Sequence, residues 1–289
     1  MQDKAANRSA FITGAGGGIG RAIALALGGR GYALALNDVD EGRLGASAYA
    51  ARQAGAARVE TYCADISDSK AVRDAVEDFT SRAGALGKVF ANAGIGFAGV
   101  PFGRMTPADW SWLLAVNVQG AAHLISAALP DMLAAGRPAQ IEITSSLAGL
   151  HAMPGWHVAA YAASKSAVSM MAQGVRDEIG GAPVSVSVVY PGLIATDIGA
   201  NFKRLREQRS GADDVATPEG LDVSAGMPPA EAARIILDGM DQGIEHIFTH
   251  PDHALGLLDA RYQAMAAGIE ASWRLTAAAS TVATPAAAS

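Results

Sequence analysis

Short apolar runs alternate with longer stretches of helical period along this chain, and few folds accommodate that rhythm. Residues 9–13, 32–37, 58–63, 86–91, 140–145, 184–190 and 246–249 read as strands. Residues 40–54, 68–82, 107–117, 121–133, 161–179, 231–242 and 251–269 read as helices, and Ile19, Ile23 and Leu27 form a helical stripe directly after the first strand. Repeated strand–helix units join parallel strands by crossovers, which place helices on both faces of one sheet. The expected fold is α/β: a single domain over residues 1–289, a doubly wound parallel sheet of about seven strands. Ligands of such sheets bind at the carboxyl ends of the strands, where the strand order reverses. Residues 195–229 break the rhythm with charges, Gly and Pro, and are expected to form a substrate lid over that edge.

Composition narrows the class further. The chain is 50% hydrophobic, enough for a large core, with 33 Gly and only 6% aromatic residues. A net charge of -6, without a run of Lys or Arg, argues against nucleic acid as a partner. The one cysteine, Cys63, rules out an internal disulfide and a zinc site built on Cys pairs, and no metal site is expected. At the end of a strand it reads as a small buried apolar residue. The polar residues 1–8 lead straight into a strand, so no signal peptide is expected. No apolar stretch reads as reaching the ~18 residues that cross a membrane, and a cytoplasmic protein is expected. Residues 276–289, mostly Ala, Ser and Thr, read as a disordered tail or an arm on a partner subunit.

Three features carry chemistry. Gly14, Gly18, Ile19 and Gly20 follow the first strand and open the first helix. Glycine there lets the backbone approach a pyrophosphate, and the helix N-terminus stabilises that anion; a tight turn without a ligand has the same spacing. Asp38 ends the second strand, where a carboxylate can accept hydrogen bonds from an adenosine ribose and repels a 2′-phosphate. Neither Val39 nor Gly17 supplies a cation for that phosphate, so NAD is expected over NADP; the alternative role for Asp38 is to cap the following helix. Tyr161 and Lys165 are four residues apart on a helix and share a face. An ammonium beside a phenol lowers its pKa, which suits the Tyr to proton exchange with an alcohol.

With these motifs the chain resembles the short-chain dehydrogenase/reductase family, whose fold is Rossmann-type. The resemblance covers residues 10–192 and rests on residues 13–20, Asp65, Asn92-Ala93-Gly94, Asn117, residues 145–149, Tyr161 with Lys165, and Pro191-Gly192. It implies that Tyr161 is the acid/base and that Lys165 tunes it and holds the nicotinamide ribose. Ser146, rather than Ser145, would bond the substrate oxygen, and Asn117 would hold the water of a proton relay. Asp65 and Ile66 would contact adenine, Asn92 and Gly94 would line the cleft with Pro191 and Gly192, and Thr196 would bond the nicotinamide carboxamide. Ala91 stands where the family often has a second Asn.

The expected reaction is hydride transfer between NAD(H) and a small hydrophobic secondary alcohol or ketone. Phe97, Val100, Phe102, Met153, Trp156, His157 and the loop around Phe202 are candidate substrate walls, and each could instead be core, subunit contact or surface, as could His151. Arg137-Pro138 before the fifth strand, the extended lid and Thr249-His250-Pro251 give a loose similarity to bacterial aryl-alcohol dehydrogenases acting on lignin-derived ethers. The alternatives are an NADPH-dependent ketoreductase of a biosynthetic pathway and a dinucleotide-binding sensor without turnover. The resemblance also implies a homo-oligomer, a tetramer or dimer, packed through Ala121, Ala122, Ala127 and Ala128; those faces could instead pack on the sheet.

Overall fold

The computed structural model describes residues 7–96, 98–210 and 222–282. Seven parallel strands form one sheet: β1 (Ser9–Thr13), β2 (Ala33–Asp38), β3 (Arg58–Cys63), β4 (Lys88–Ala91), β5 (Ala139–Thr144), β6 (Val184–Tyr190) and β7 (His246–Phe248), in the spatial order β3-β2-β1-β4-β5-β6-β7. The order reverses between β1 and β4, which places the carboxyl ends of those two strands around one cleft. Every residue of β1 is buried, as in a strand covered on both faces, whereas the edge strand β3 alternates.

Helices α1 (Gly18–Gly29), α2 (Glu41–Ala54) and α8 (Pro229–Asp241) pack together on one face. There Ile23 and Leu27 of α1 and Ile236 and Met240 of α8 meet Ile12, Leu36, Phe90 and Val189 of the sheet. Helices α3 (Ser69–Ala83), α4 (Pro107–Leu114), α5 (Gly120–Ala135) and α6 (Ala159–Ile179) cover the other. Side chains set several helix starts: Asp40 caps α2, Asp68 caps α3, and Thr106 with Asp109 forms a capping box on α4.

Four expectations need correction. The π turn Ala115–Gln119 joins α4 to α5, so residues 107–135 form one helical stretch with a mean hydropathy of 1.4, long and apolar enough to cross a membrane by those criteria. Leu113, Leu124, Ile125 and Met132 of that stretch are buried in this fold, so it serves as a core helix. The lid region is not a plain loop: α7 (Ile198–Ser210) and a 3₁₀ turn at Val223–Ala225 lie within it, and residues 211–221 lie outside the described part. Cys63 is exposed, because β3 is an edge strand whose alternation turns it to solvent. Finally, part of the stretch read as a tail is helical; the chain falls into two compact units, residues 1–249 and 250–289. The second holds α9 (Pro251–Val282), which takes in residues 276–282 of the stretch read as a tail; residues 283–289 lie outside the described part.

Candidate active site

The glycine turn is built by close approach. Gly14 and Gly18 have φ of 67° and 51°, which L side chains avoid. A Cβ on Gly20 would collide with the Gly14 carbonyl, and one on Gly14 would lie 3.0 Å from Ala93 Cα and Asn92 Nδ2. Asn92 fastens the loop after β4 to this turn: its Nδ2 donates to Thr13 O at 2.9 Å, and its backbone N–H donates to Thr13 Oγ1 at 3.1 Å. Ile19 packs against the core under α1. Helix α1 has neither a side-chain cap nor an acidic residue in its first turn, unlike α2 and α4. Its first N–H groups are left for an anion, so the residues present fit the pyrophosphate of a dinucleotide.

Asp38 faces this turn. Its Oδ2 accepts from Gly16 N–H at 2.8 Å and its Oδ1 from Asp40 N–H at 3.0 Å. Asp40, not Asp38, caps α2, which removes the capping alternative for Asp38. The sequence reading missed Arg43. It lies one turn into α2, pairs with Asp40 at 3.7 Å and Asp197 at 3.2 Å, and brings Nη1 to 3.7 Å from where a Gly17 Cβ would sit. Neither Val39 nor Gly17 supplies a cation, but the fold brings Arg43 to this corner; the only signal for Arg43 was its place three residues after the cap. Asp65 is exposed, its Oδ1 taken by the Ser67 N–H and hydroxyl. Ile66 is buried and turned toward Gly120 of α5.

The second half of the cleft gathers the polar side chains. Lys165 is buried, and its Nζ donates to Thr144 O at 2.9 Å and lies 5.8 Å from the Tyr161 ring centroid. A Cβ on Gly94 would lie 3.2 Å from both Lys165 Nζ and Asn117 Oδ1, so Gly94 leaves room where those groups meet. Asn117, in the π turn, is locked: Oδ1 accepts from Ile95 N–H at 2.8 Å, and Nδ2 donates to Ile95 O at 3.1 Å and Ser164 Oγ at 3.0 Å. Ser146 accepts from Ala148 N–H at 3.1 Å, and its hydroxyl acts to lower the pKa of the Tyr161 phenol. Ser145 instead faces α6, donating to Lys165 O at 2.8 Å.

The expected depression of the Tyr161 pKa is absent from the protein alone. Burial pushes the phenol up, and the Ser146 hydroxyl pulls it down. Burial also lowers Lys165 to about 8, with Glu142 opposing it, so the amine is itself a weakened cation.

The start of the lid region reaches the cleft. Thr196 Cγ2 lies 3.0 Å from where a Gly18 Cβ would be, and Ile198 Cγ1 3.3 Å from that of Gly96. Pro191 O accepts from Leu147 N–H at 3.0 Å, and Gly192 N–H donates to Thr249 Oγ1 at 3.0 Å. Trp156 O accepts from Gly99 N–H at 3.0 Å, which ties the 146–161 loop to buried Val100; Met153 and Trp156 are half-buried. Phe202 is buried and stacks on Trp112, Phe102 is exposed beside Trp110, and His157 is exposed at φ 47°. His151 is partly exposed and bonds Ala152 O through Nδ1. Phe97 lies outside the described residues. Ala121 and Ala128 are buried within the chain, while Ala122 and Ala127 are half-buried. A cavity of about 570 Å³ opens at the amino ends of β4, β5 and β6, away from all these groups.

A glycine turn free of a helix cap, set where strand order reverses, marks the dinucleotide-binding class of doubly wound α/β proteins. Within that class the chain belongs to the short chain dehydrogenase family, whose profile matches residues 8–207. It is 33% identical over 187 residues to sulfoacetaldehyde reductase 2 of Chromohalobacter salexigens, covering 65% of this chain and 73% of that one. It is 28% identical over 245 residues to 1-deoxy-11-beta-hydroxypentalenate dehydrogenase of Streptomyces avermitilis, covering 84% and 85%. A short chain dehydrogenase/reductase from Burkholderia phymatum, solved in complex with NAD, superposes with a TM-score of 0.79 at 28% identity, covering 91% of this chain and 95% of that one.

Proposed function

We propose that the protein is an NAD-dependent dehydrogenase that interconverts a hydrophobic secondary alcohol and its ketone. The observation that carries this reading is the convergence of Lys165 and Asn117 beside Gly94, with Lys165 Nζ 5.8 Å from the Tyr161 ring. Gly14, Gly18, Gly20, Asp38, Asp65 and Ile66 would hold the adenosine and pyrophosphate, and Asn92, Gly94, Lys165, Pro191, Gly192 and Thr196 the nicotinamide end. When bound, the cofactor supplies the hydride acceptor at the substrate carbon.

The chain's own groups handle the proton. Ala148 N–H donates into Ser146 Oγ, which leaves the Ser146 hydrogen free to point at Tyr161 or at a substrate oxygen. In oxidation, Tyr161 as phenolate takes the hydroxyl proton while Ser146 stabilises the developing oxyanion. Lys165, anchored on Thr144 O, supplies the positive charge that favours phenolate. Met153, Trp156 and Ile198 at the mouth favour an apolar substrate. A homo-oligomer packed through α5, where Ala122 and Ala127 remain half-buried, belongs to the same reading.

Arg43 favours a second reading, in which the corner beside Asp38 accepts a 2′-phosphate and NADP is the cofactor. Asp38 supports NAD, because its carboxylate already closes on the turn through Gly16. The central test is Tyr161→Phe, which keeps the ring and removes the proton carrier. Turnover should fall by about 10²- to 10⁴-fold, with NADH affinity, measured by fluorescence titration, little changed. Retained turnover would refute the role of Tyr161.

A further inference from the structure

Behind the cleft, a carboxyl group is buried in the apolar middle of the sheet. Glu142, on β5, has no solvent exposure and lies in register with Phe90 on β4 and Ser187 on β6. Thr144 Oγ1 lies 2.7 Å from Glu142 Oε1, while Oε2 has no hydrogen-bond partner among the described residues. An unpartnered oxygen on a buried carboxylate is costly; on a neutral carboxylic acid it is a tolerable carbonyl.

Thr144 is the junction. Its carbonyl accepts from Lys165 Nζ at 2.9 Å, and its hydroxyl lies 3.4 Å from Asn92 Oδ1 as well as 2.7 Å from Glu142. A hydroxyl has one hydrogen to donate. With Glu142 ionised, that hydrogen goes to Oε1 and Asn92 Oδ1 receives nothing from Thr144. With a proton on Oε1, Glu142 becomes the donor to Thr144 Oγ1, and the Thr144 hydrogen turns to Asn92. We propose that Glu142 is a positioning residue whose proton sets the direction of the hydrogen bond at Thr144, and through Thr144 the hold on Asn92 and Lys165.

The surroundings support a proton that moves. Titratable groups on the neighbouring elements include Lys88 on β4, Tyr190 on β6, Arg21 on α1, Glu231, Arg234, Asp238 and Asp241 on α8, His123 and Asp131 on α5, and Tyr161, Lys165, Arg176, Asp177 and Glu178 on α6. Lys165 is the one whose charge acts on Glu142. Lys88 is engaged with Gln140 and Asp241, and His123 with Ile66 O. Burial raises Glu142 to about 7, with the Thr144 bond and Lys165 pulling it down. The protonated and ionised forms are then both populated near neutrality, and the Asn92–Thr13 contact carries the change to the glycine turn.

This inference rests on the reading of the cleft as a dinucleotide site, but its first test does not. Infrared difference spectra of the cofactor-free protein, taken from acid to alkaline pH, should show a protonated-carboxyl band that disappears with a midpoint near 7 and is missing in Glu142→Gln. Absence of that band, or its survival in the variant, overturns the proposal. The second readout is NADH affinity against pH. The wild type should show an inflection near 7 that both Glu142→Gln and Thr144→Val lose, the latter while keeping the infrared band, and an inflection unchanged in both variants overturns the coupling through Thr144. If the band titrates but NADH does not bind, the cofactor reading fails while the buried acid stands.

Discussion

Replacing Asp38 tests the cofactor assignment at its most specific point. In the NAD reading its carboxylate accepts hydrogen bonds from the ribose diol, and hydrogen bonds to a charged group contribute about 1.5–3 kcal/mol. Loss of that interaction in Asp38→Ala corresponds to a fall of about 10- to 150-fold in kcat/KM for NAD. The same change removes repulsion toward a 2′-phosphate. A dianion at ~5 Å from a carboxylate in a water-like dielectric is repelled by about 1.7 kcal/mol, roughly a tenfold effect on NADP in the opposite sense. Arg43, already at the Gly17 corner, then faces the phosphate without the competing charge of Asp38. The preference for NAD over NADP should therefore drop by at least about 100-fold. Asp38→Asn separates charge from geometry, because its amide oxygen can still accept from Gly16 N–H as Asp38 does at 2.8 Å. It should fall between wild type and Ala. Steady-state kinetics with both cofactors decides the matter: a wild type that prefers NADP, or an unchanged ratio in Asp38→Ala, refutes the argument.

Other outcomes follow from the packing and the buried charges. Asp109 and Arg206 form a two-pronged ion pair, 3.0 and 3.3 Å, with side chains 6% and 3% exposed. Arg206→Met leaves the carboxylate buried without its cation and should cost about 3–5 kcal/mol in urea unfolding; a cost under about 1 kcal/mol would show that the pair is not holding α7 to α4. Gly20→Ala forces a Cβ into the Gly14 carbonyl, so NADH affinity should collapse while far-ultraviolet circular dichroism stays native; unchanged affinity would count against the turn as the phosphate site. Burial holds the Tyr161 phenol up and Lys165 down to about 8. Alcohol oxidation should therefore accelerate with rising pH and bend over above about 8, and a profile without dependence on pH would contradict both assignments. Glu142 goes from 4.5 to about 7 on folding, so its stabilising contribution is complete below 4.5 and is lost as pH rises through 7. The stability gap of Glu142→Gln over wild type should widen by up to about 3 kcal/mol between those limits, and equal pH dependence in the two proteins would exclude a buried acid.

Much of the architecture is legible in the sequence because burial on both faces leaves continuous apolar runs such as Ala10-Phe11-Ile12 in β1 and Ala33-Leu34-Ala35-Leu36 in β2. The glycine turn is legible because Gly20 has no substitute beside the Gly14 carbonyl. Helix α7 escapes for a physical reason. Its inward face is Phe202 and Arg206, four residues apart, and the second of these is a cation satisfied by Asp109 on a distant helix. A stripe that buries an Arg does not register as hydrophobic periodicity. Arg43 escapes in the same way, since its relevance depends on Gly17 and Asp197 arriving beside it from other elements.

Glu142 is different, because the signal was present and its local reading misleads. A Glu between Ile141 and Ile143 has the alternation of a half-exposed strand, whose polar residue faces solvent. A central parallel strand covered by helices on both faces has no solvent side. Once the chain is assigned a doubly wound sheet with β5 between β4 and β6, Glu142 is committed to the interior. An acid retained there must be protonated, paired or functional, since an apolar residue would fill the position at no electrostatic cost. The structure pairs one oxygen with Thr144, leaves the other bare, and places the carboxyl two residues from the carbonyl that anchors Lys165. Local pattern and global topology disagree at this residue, and such disagreement concentrates where stability is given up for chemistry.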